Sequence, residues 1–181
     1  MPPTLFAPSP DAVLLTAREA RLTNPQPRAR HELLRKLSHD QGDFDARVDW
    51  HVPGLVYGIE SDSCMTGREQ APANIAYDQY GAEFIFRQPR DETELTAVLN
   101  ADSVEVMSCY RFDGLDRWTV PLVHAWLANT HVLTSRLDYI RTASNDPDIL
   151  SGAEAYTDYL HSPEFHHYIE ALLDHLARSA P

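Results

Sequence analysis

The chain has 181 residues, of which 43% are hydrophobic and 23% are charged, a composition typical of a folded globular domain. Its net charge of −12 argues against nucleic acid as a partner, because the phosphate backbone is itself negatively charged. No apolar run reaches the roughly 18 residues that cross a membrane, and the N-terminus lacks a secretory-signal pattern, so we predict a cytoplasmic protein with no membrane partner.

The acidic excess is concentrated in residues 51–181, which hold 20 acidic and 8 basic side chains. An acidic surface of this kind keeps a protein soluble, and it also fits a protein partner with a basic surface. One lysine stands against fourteen arginines. We take this bias as a trace of a GC-rich genome, which makes a bacterial source the expectation.

Residues 1–42 are predicted to form a pair of helices. Ser9 and Pro10 suit the cap and the first position of a helix. Prolines within residues 24–27 end that helix, because proline fixes φ and lacks a backbone donor. Leucines then recur at helical spacing within residues 28–39, which predicts the second helix.

Residues 43–112 are predicted to form the sheet region. Residues 47–52 alternate between apolar and polar side chains, the period of a strand with one exposed face. The Pro-Gly pair at 53–54 indicates a turn, and residues 55–60 predict a second strand. The two strands would together form a hairpin.

A strand, a helix and a further strand are predicted in the rest of this region. Residues 82–87 predict a strand, residues 91–100 a helix capped by Asp91, and residues 103–110 a strand that is apolar on both faces. The joints between them are short. The order therefore favours a βαβ unit, in which a crossover helix connects two parallel strands.

Residues 113–181 are predicted to form a helical layer. A long helix begins at Pro121, and a strongly amphipathic one begins at Pro163 behind the cap residue Ser162. The sequence as a whole predicts a single domain of the α+β class. Its mixed sheet of about four strands, a hairpin plus the βαβ unit, would combine with N-terminal helices and a C-terminal helical layer.

The stretch from Ser61 to Gly81 has neither a helical nor a strand period. Connections longer than about 12–15 residues without secondary structure are often functional, and this one is too aromatic for a disordered linker. We therefore predict an ordered recognition loop on a protein that binds a partner protein, in an inhibitor, immunity or chaperone-like role. The candidate binding residues in and beside this loop are Asn74, Tyr77, Tyr80, Glu60 and Asp62.

A small enzyme with a reactive thiol is an alternative interpretation. Positive charge favours a thiolate, and Arg68 follows Cys64 by four residues, where it could orient an anionic group. His51, on the polar face of the first predicted strand, would serve as the base. Cys109 lies 45 positions after Cys64, which does not suit a zinc ribbon, and no nucleotide-binding motif occurs. The sequence thus predicts no cofactor.

A metalloprotein is the second alternative. His166, Glu170 and Asp174 follow one another at a spacing of four residues in the last predicted helix, so that neighbours could share a metal ion. All three lie on the face away from the apolar stripe, where solvated side chains are the ordinary expectation.

Overall fold

The computed structural model describes residues 43–61, 63–107 and 109–179, so the predicted N-terminal helical pair lies outside it. The described part has four short strands, β1 Tyr57–Gly58, β2 Ile75–Tyr77, β3 Glu83–Ile85 and β4 Tyr110–Arg111. A 3₁₀ helix at Phe44–Ala46 precedes them, and the α-helices are α1 Gly67–Gln70, α2 Glu92–Val104, α3 Gly114–Arg117, α4 Val120–Ala128, α5 Thr130–Ala143, α6 Pro147–Leu160 and α7 Pro163–Ser179. This arrangement confirms the α+β class.

The strands form two separate antiparallel pairs instead of one sheet. In the first pair, β1 lies against β4, with Gly58 opposite Tyr110. In the second pair, β2 lies against β3, with Ala76 opposite Phe84. The predicted mixed sheet of four strands is therefore wrong.

Neither the predicted hairpin nor the predicted βαβ unit forms. Residues 47–52 adopt turns in place of a strand, and β1 pairs with the distant β4. Helix α2 does connect β3 to β4, but these strands belong to different pairs, and both pairs are antiparallel. Because α2 continues to Val104, it also occupies the start of the segment predicted as the second parallel strand.

His51 lies between the two strand pairs. Its Nε2 is 3.0 Å from the backbone nitrogen of Gly58 in β1, and its Nδ1 is 2.8 Å from the backbone nitrogen of Ile85 in β3. A neutral imidazole has one acceptor nitrogen, so it can accept one of these two amides in place of a backbone carbonyl. Val52 extends the junction, because its amide donates to the Ile85 carbonyl at 3.0 Å.

Aromatic rings connect the strands to the helical layer. Trp50 stacks on Phe84 of β3 with ring centroids 5.3 Å apart, and Phe84 contacts Tyr156 of α6 at 5.6 Å. The Tyr156 hydroxyl donates to the Trp50 carbonyl at 2.7 Å. Helix α6 can approach β2 because residue 152 is glycine: a Cβ there would lie 3.1 Å from the Cβ of Ala76. These contacts fix the position of Trp50 against the core.

The C-terminal helices follow the predicted stripes, with one change. The long predicted helix divides at Asn129 into α4 and α5, whereas α7 begins at Pro163 as predicted. The buried apolar side chains of α5 and α7 are Leu133, Leu137, Ile140, Phe165, Ile169, Leu172 and Leu176. Within the described residues, none of the helices combines the length and the apolar character needed to span a membrane.

Candidate binding groove

A groove crosses the surface where the turn at residues 47–50 meets α4 and α5. It consists of two clefts, of about 340 and 430 Å³, that share Trp50, Val132 and Arg136. The second cleft reaches the turn between β2 and β3. We call both clefts together the Trp50 groove. Its other lining residues are Arg47, Asp49, Asp78, Gln79, Leu122, Ala125, Trp126, Asn129, Thr130, Leu133, Ser135 and Tyr139.

Arg136 and Trp50 form the centre of this groove. The guanidinium carbon of Arg136 lies 5.3 Å from the Trp50 ring, within the range of a cation–π contact. Trp50 is held from below by Phe84, so its ring presents a rigid surface. A guanidinium stacked on an aromatic face keeps its in-plane N–H groups available as donors. The centre of the groove can therefore bind an anionic group.

Arg47 lies at one edge of the groove and is held by aromatic rings. Its guanidinium carbon is 4.2 Å from the Phe44 ring and 4.9 Å from the Trp118 ring, and Nη1 donates to the Phe44 carbonyl at 2.9 Å. Trp126 of α4 donates from Nε1 to the Asp49 carbonyl at 3.2 Å. These contacts attach the turn at residues 47–50 to the helical layer and fix the shape of the groove.

The two arginines of the groove make no ion pair with any carboxylate of the described residues. In residues 43–61, 63–107 and 109–179, neither Arg47 nor Arg136 makes a salt bridge to a carboxylate. Asp78 uses its Oδ1 to accept the amides of Tyr80 and Ala82, at 2.8 and 2.9 Å, within its own turn. Two guanidinium groups thus line one groove, together with the carboxylates of Asp49 and Asp78, in a protein whose net charge is −12.

Exposed apolar side chains concentrate at the same place. Seven large hydrophobic side chains are exposed in the described part of the chain, and four of them, Leu122, Val132, Tyr139 and Tyr80, line the groove or directly follow a lining residue. Tyr80 is 77% exposed and Tyr139 is 61% exposed. Aromatic side chains and arginines of this kind dominate the energetics of protein interfaces.

The predicted recognition loop is folded, and its residues 74–77 are buried. It contains α1 and β2, and Asn74 and Tyr77 are both buried. The Asn74 amide donates to a backbone carbonyl at 3.1 Å, the Tyr77 hydroxyl donates to another at 2.7 Å, and burial raises the pKa of Tyr77 to about 12. Glu60 is exposed, and Asp62 lies outside the described residues. Tyr80 is exposed and directly follows Gln79, a lining residue of the groove.

Cys64 is exposed, whereas Cys109 is buried. The two neighbours of Cys64, Ser63 and Met65, have positive φ angles of 61° and 58°. Positive φ is uncommon for residues other than glycine. The thiol therefore lies on the surface, in a segment of unusual backbone conformation.

Arg68 and His51, the residues predicted to assist that thiol, make other contacts. Arg68 donates to the carbonyl of Ile75 at 2.7 Å and to the Ser151 hydroxyl at 2.9 Å, and burial lowers the pKa of its guanidinium. His51 is enclosed in the core, where burial and the charge of Arg47 lower its pKa to about 3. These placements give the predicted catalytic group no support.

The predicted metal ligands His166, Glu170 and Asp174 are all exposed on α7. Nδ1 of His166 donates to the Ser162 carbonyl at 2.8 Å. Across the described residues, no three or more His, Cys, Asp or Glu side chains are arranged to hold a metal ion. The structure therefore gives the metal site no support.

Sequence reasoning missed Arg136 and assigned Trp50 to a strand. Tryptophan and arginine are the residue types most enriched at interface centres, so the three tryptophans were one available signal. No local pattern marks Arg136, which is one of several polar residues on the exposed side of α5. The groove depends on residues 86 positions apart in sequence, and only the fold brings them together.

Comparison of the chain with protein-family models, with curated proteins and with solved structures gives no match.

Proposed function

We propose that the protein binds a partner protein through the Trp50 groove, and that the partner inserts a segment with a carboxylate flanked by apolar side chains. The observation that carries this proposal is the guanidinium of Arg136, stacked on the rigid Trp50 ring and surrounded by exposed apolar side chains. A carboxylate would satisfy the in-plane donors of the guanidinium, and Tyr139 and Val132 would contact the apolar neighbours.

The overall charge supports a partner with a basic surface around that segment. Residues 51–181 have twelve more acidic than basic side chains, 20 against 8. Such a field accelerates the encounter with a basic protein, while the groove provides short-range recognition. Inhibitor, immunity and chaperone-like roles would each use a surface of this kind.

The test compares capture of proteins from an extract of the source cells by wild-type chain and by groove variants. Arg136→Glu reverses the central charge, and Tyr139→Ala removes an exposed ring. Arg178→Glu on α7 is the matched control, because Arg178 is exposed and does not line the groove. We expect a protein that wild type and the control retain and that both groove variants lose.

Titration of that purified protein against wild type and each variant then measures the change in binding affinity. We expect Arg136→Glu to weaken affinity by at least about tenfold, the ordinary cost of removing one member of a charge pair in an interface. Equal affinity of both groove variants and wild type would exclude the groove as the binding surface. If added salt leaves the affinity unchanged, the electrostatic part of the proposal fails.

A reactive thiol at Cys64 is the second candidate function. It is favoured by the exposure of Cys64 together with the positive φ angles on either side, since unusual backbone conformations cluster at functional sites. Alkylation of the native protein at mild pH tests it. A rate above that of free cysteine supports a small enzyme or thiol-transfer role, and a rate equal to or below it excludes this candidate.

A further inference from the structure

A third cleft, separate from the centre of the Trp50 groove, lies where four helices meet. Its volume is about 360 Å³, within the range of sites for small ligands. Thr130 and Thr134 of α5 form one side, and His161, His166 and Glu170, at the end of α6 and on α7, form the other. We call it the His161 cleft.

The hydrogen-bond donors of the cleft's polar side chains are already in use. Nδ1 of His161 donates to the Thr157 carbonyl at 2.8 Å, and Nδ1 of His166 donates to the Ser162 carbonyl at 2.8 Å. A carbonyl oxygen only accepts, so these contacts fix which nitrogen of each ring carries the proton.

The hydroxyl protons of the two threonines are also used in hydrogen bonds within the protein. The hydroxyl of Thr130 donates to the Leu127 carbonyl at 2.8 Å, and that of Thr134 donates to the Thr130 carbonyl at 2.9 Å. Each hydroxyl keeps its lone pairs but has no further proton to give.

What remains for a ligand is a set of acceptors. An imidazole that carries its single proton on Nδ1 offers Nε2, the hydroxyls offer oxygen lone pairs, and Glu170 offers a carboxylate that makes no hydrogen bond or ion pair to another described residue. A ligand that satisfies such a site must donate hydrogen bonds, and a positive charge on it would complement Glu170.

We propose that the His161 cleft binds a primary alkylammonium group. Its three N–H donors match the imidazole and carboxylate acceptors, and its carbon chain lies against the apolar wall formed by Leu160, Phe165 and Ile169. A metal ion fits less well, because no set of three ligating side chains in the described part is arranged to hold one. The His161 cleft shares Thr130 with the lining of the Trp50 groove, but this proposal does not rest on binding at that groove.

Alkylammonium groups occur in free amines and in the lysine side chains of proteins. Titration with n-butylammonium chloride tests whether the cleft binds an alkylammonium group. The chemical shifts of the backbone amides of residues 161–170 report the binding. Titration with Nα-acetyl-lysine N-methylamide then distinguishes the sources: tighter binding of this compound than of butylammonium assigns the cleft to a lysine of a protein, and weaker binding assigns it to a free amine.

The variants are Glu170→Gln, which removes the charge, and His166→Phe, which removes one acceptor. Their matched controls on the same helix are Asp174→Asn and His167→Phe, neither of which lines the cleft. We expect Glu170→Gln to weaken butylammonium binding about tenfold, the effect of one charge-assisted hydrogen bond, while both controls bind as wild type.

Three outcomes would overturn the proposal. The first is no saturable shift with butylammonium. The second is equal binding of tetramethylammonium, which has no N–H donor. The third is zinc chloride binding at the same residues more tightly than butylammonium, because the site would then be a metal site.

Discussion

The imidazole of His51 fills the space beside Gly58, so position 58 has no room for a side chain. Nε2 of the ring accepts the Gly58 amide at 3.0 Å, and a Cβ at position 58 would lie 2.7 Å from the ring atom Cε1. Real Cβ atoms essentially never approach that closely. Since the same ring also contacts the Ile85 amide, it has little freedom to move away.

Gly58→Ala should therefore destabilise the protein by about 1–3 kcal/mol, the usual cost of forcing an extra carbon into a packed core. Chemical denaturation measures the change in the free energy of unfolding. The same substitution in a His51→Ala background should cost less, because the obstructing ring is gone. An equal loss of stability in both backgrounds would show that the His51 ring is not what excludes a side chain at position 58.

The stability of the protein should fall as the pH falls below about 6.5, the ordinary pKa of histidine, because of His51. Burial, with a further contribution from the charge of Arg47, lowers the pKa of folded His51 to about 3. Between these two values the unfolded chain binds a proton that the folded chain excludes. The contribution of neutral His51 to the free energy of unfolding is thus fully present above pH 6.5 and is lost progressively toward pH 3.

Between pH 7 and pH 5 this linkage should remove about 2 kcal/mol from the free energy of unfolding. Denaturation at a series of pH values measures the slope. His51→Gln keeps a hydrogen-bond acceptor but cannot titrate, so its slope over that interval should be flatter. If the variant and wild type show parallel slopes, another group causes the acid sensitivity.

The helical part of the fold could be predicted because long amphipathic helices repeat their pattern. In α7 four buried residues from Phe165 to Leu176 recur at helical spacing, and the cap and proline at its start are local signals. The strands could not be predicted in the same way. They have two or three residues each, which is too short for alternation to distinguish a strand from a turn.

The surroundings of the candidate site residues could not be predicted for a different reason. Alternation placed His51 on the polar face of a strand, but the ring is buried, with the backbone amides of Gly58 and Ile85 facing its two nitrogens. Asn74 and Tyr77 were assigned to a recognition surface, yet both use their polar groups on backbone carbonyls inside the fold. A sequence shows that a side chain is polar, whereas only the fold shows which partner satisfies it.

The two cysteines should react differently with a thiol reagent. Cys64 is exposed, whereas burial and the negative charges of Glu105 and Glu83 raise the pKa of the Cys109 thiol. We expect Ellman's reagent to modify one thiol per native chain and both thiols after denaturation. Cys64→Ser should abolish the native reaction, and Cys109→Ser should leave it unchanged. Rapid modification of Cys109 in the native protein would contradict its burial.

A buried hydrogen bond between Glu83 and Tyr110 should stabilise the contact between the two strand pairs. Glu83 of β3 is almost completely buried, and its Oε2 accepts from the Tyr110 hydroxyl of β4 at 2.6 Å. Its Oε1 accepts from the Gly67 amide at 2.7 Å. Burial together with the charge of Glu83 raises the pKa of Tyr110 well above its ordinary value, so the hydroxyl remains a donor.

Tyr110→Phe removes that donor and leaves the buried carboxylate with one partner fewer. The free energy of unfolding should fall by about 1.5–3 kcal/mol, the range for hydrogen bonds to charged groups. Tyr80→Phe is the matched control, since the ring of Tyr80 is exposed and its hydroxyl should contribute almost nothing. In a Glu83→Gln background the cost of Tyr110→Phe should shrink, because an amide is less costly to leave unsatisfied than a carboxylate. A cost that is the same in both backgrounds would show that the tyrosine stabilises the fold through its ring alone.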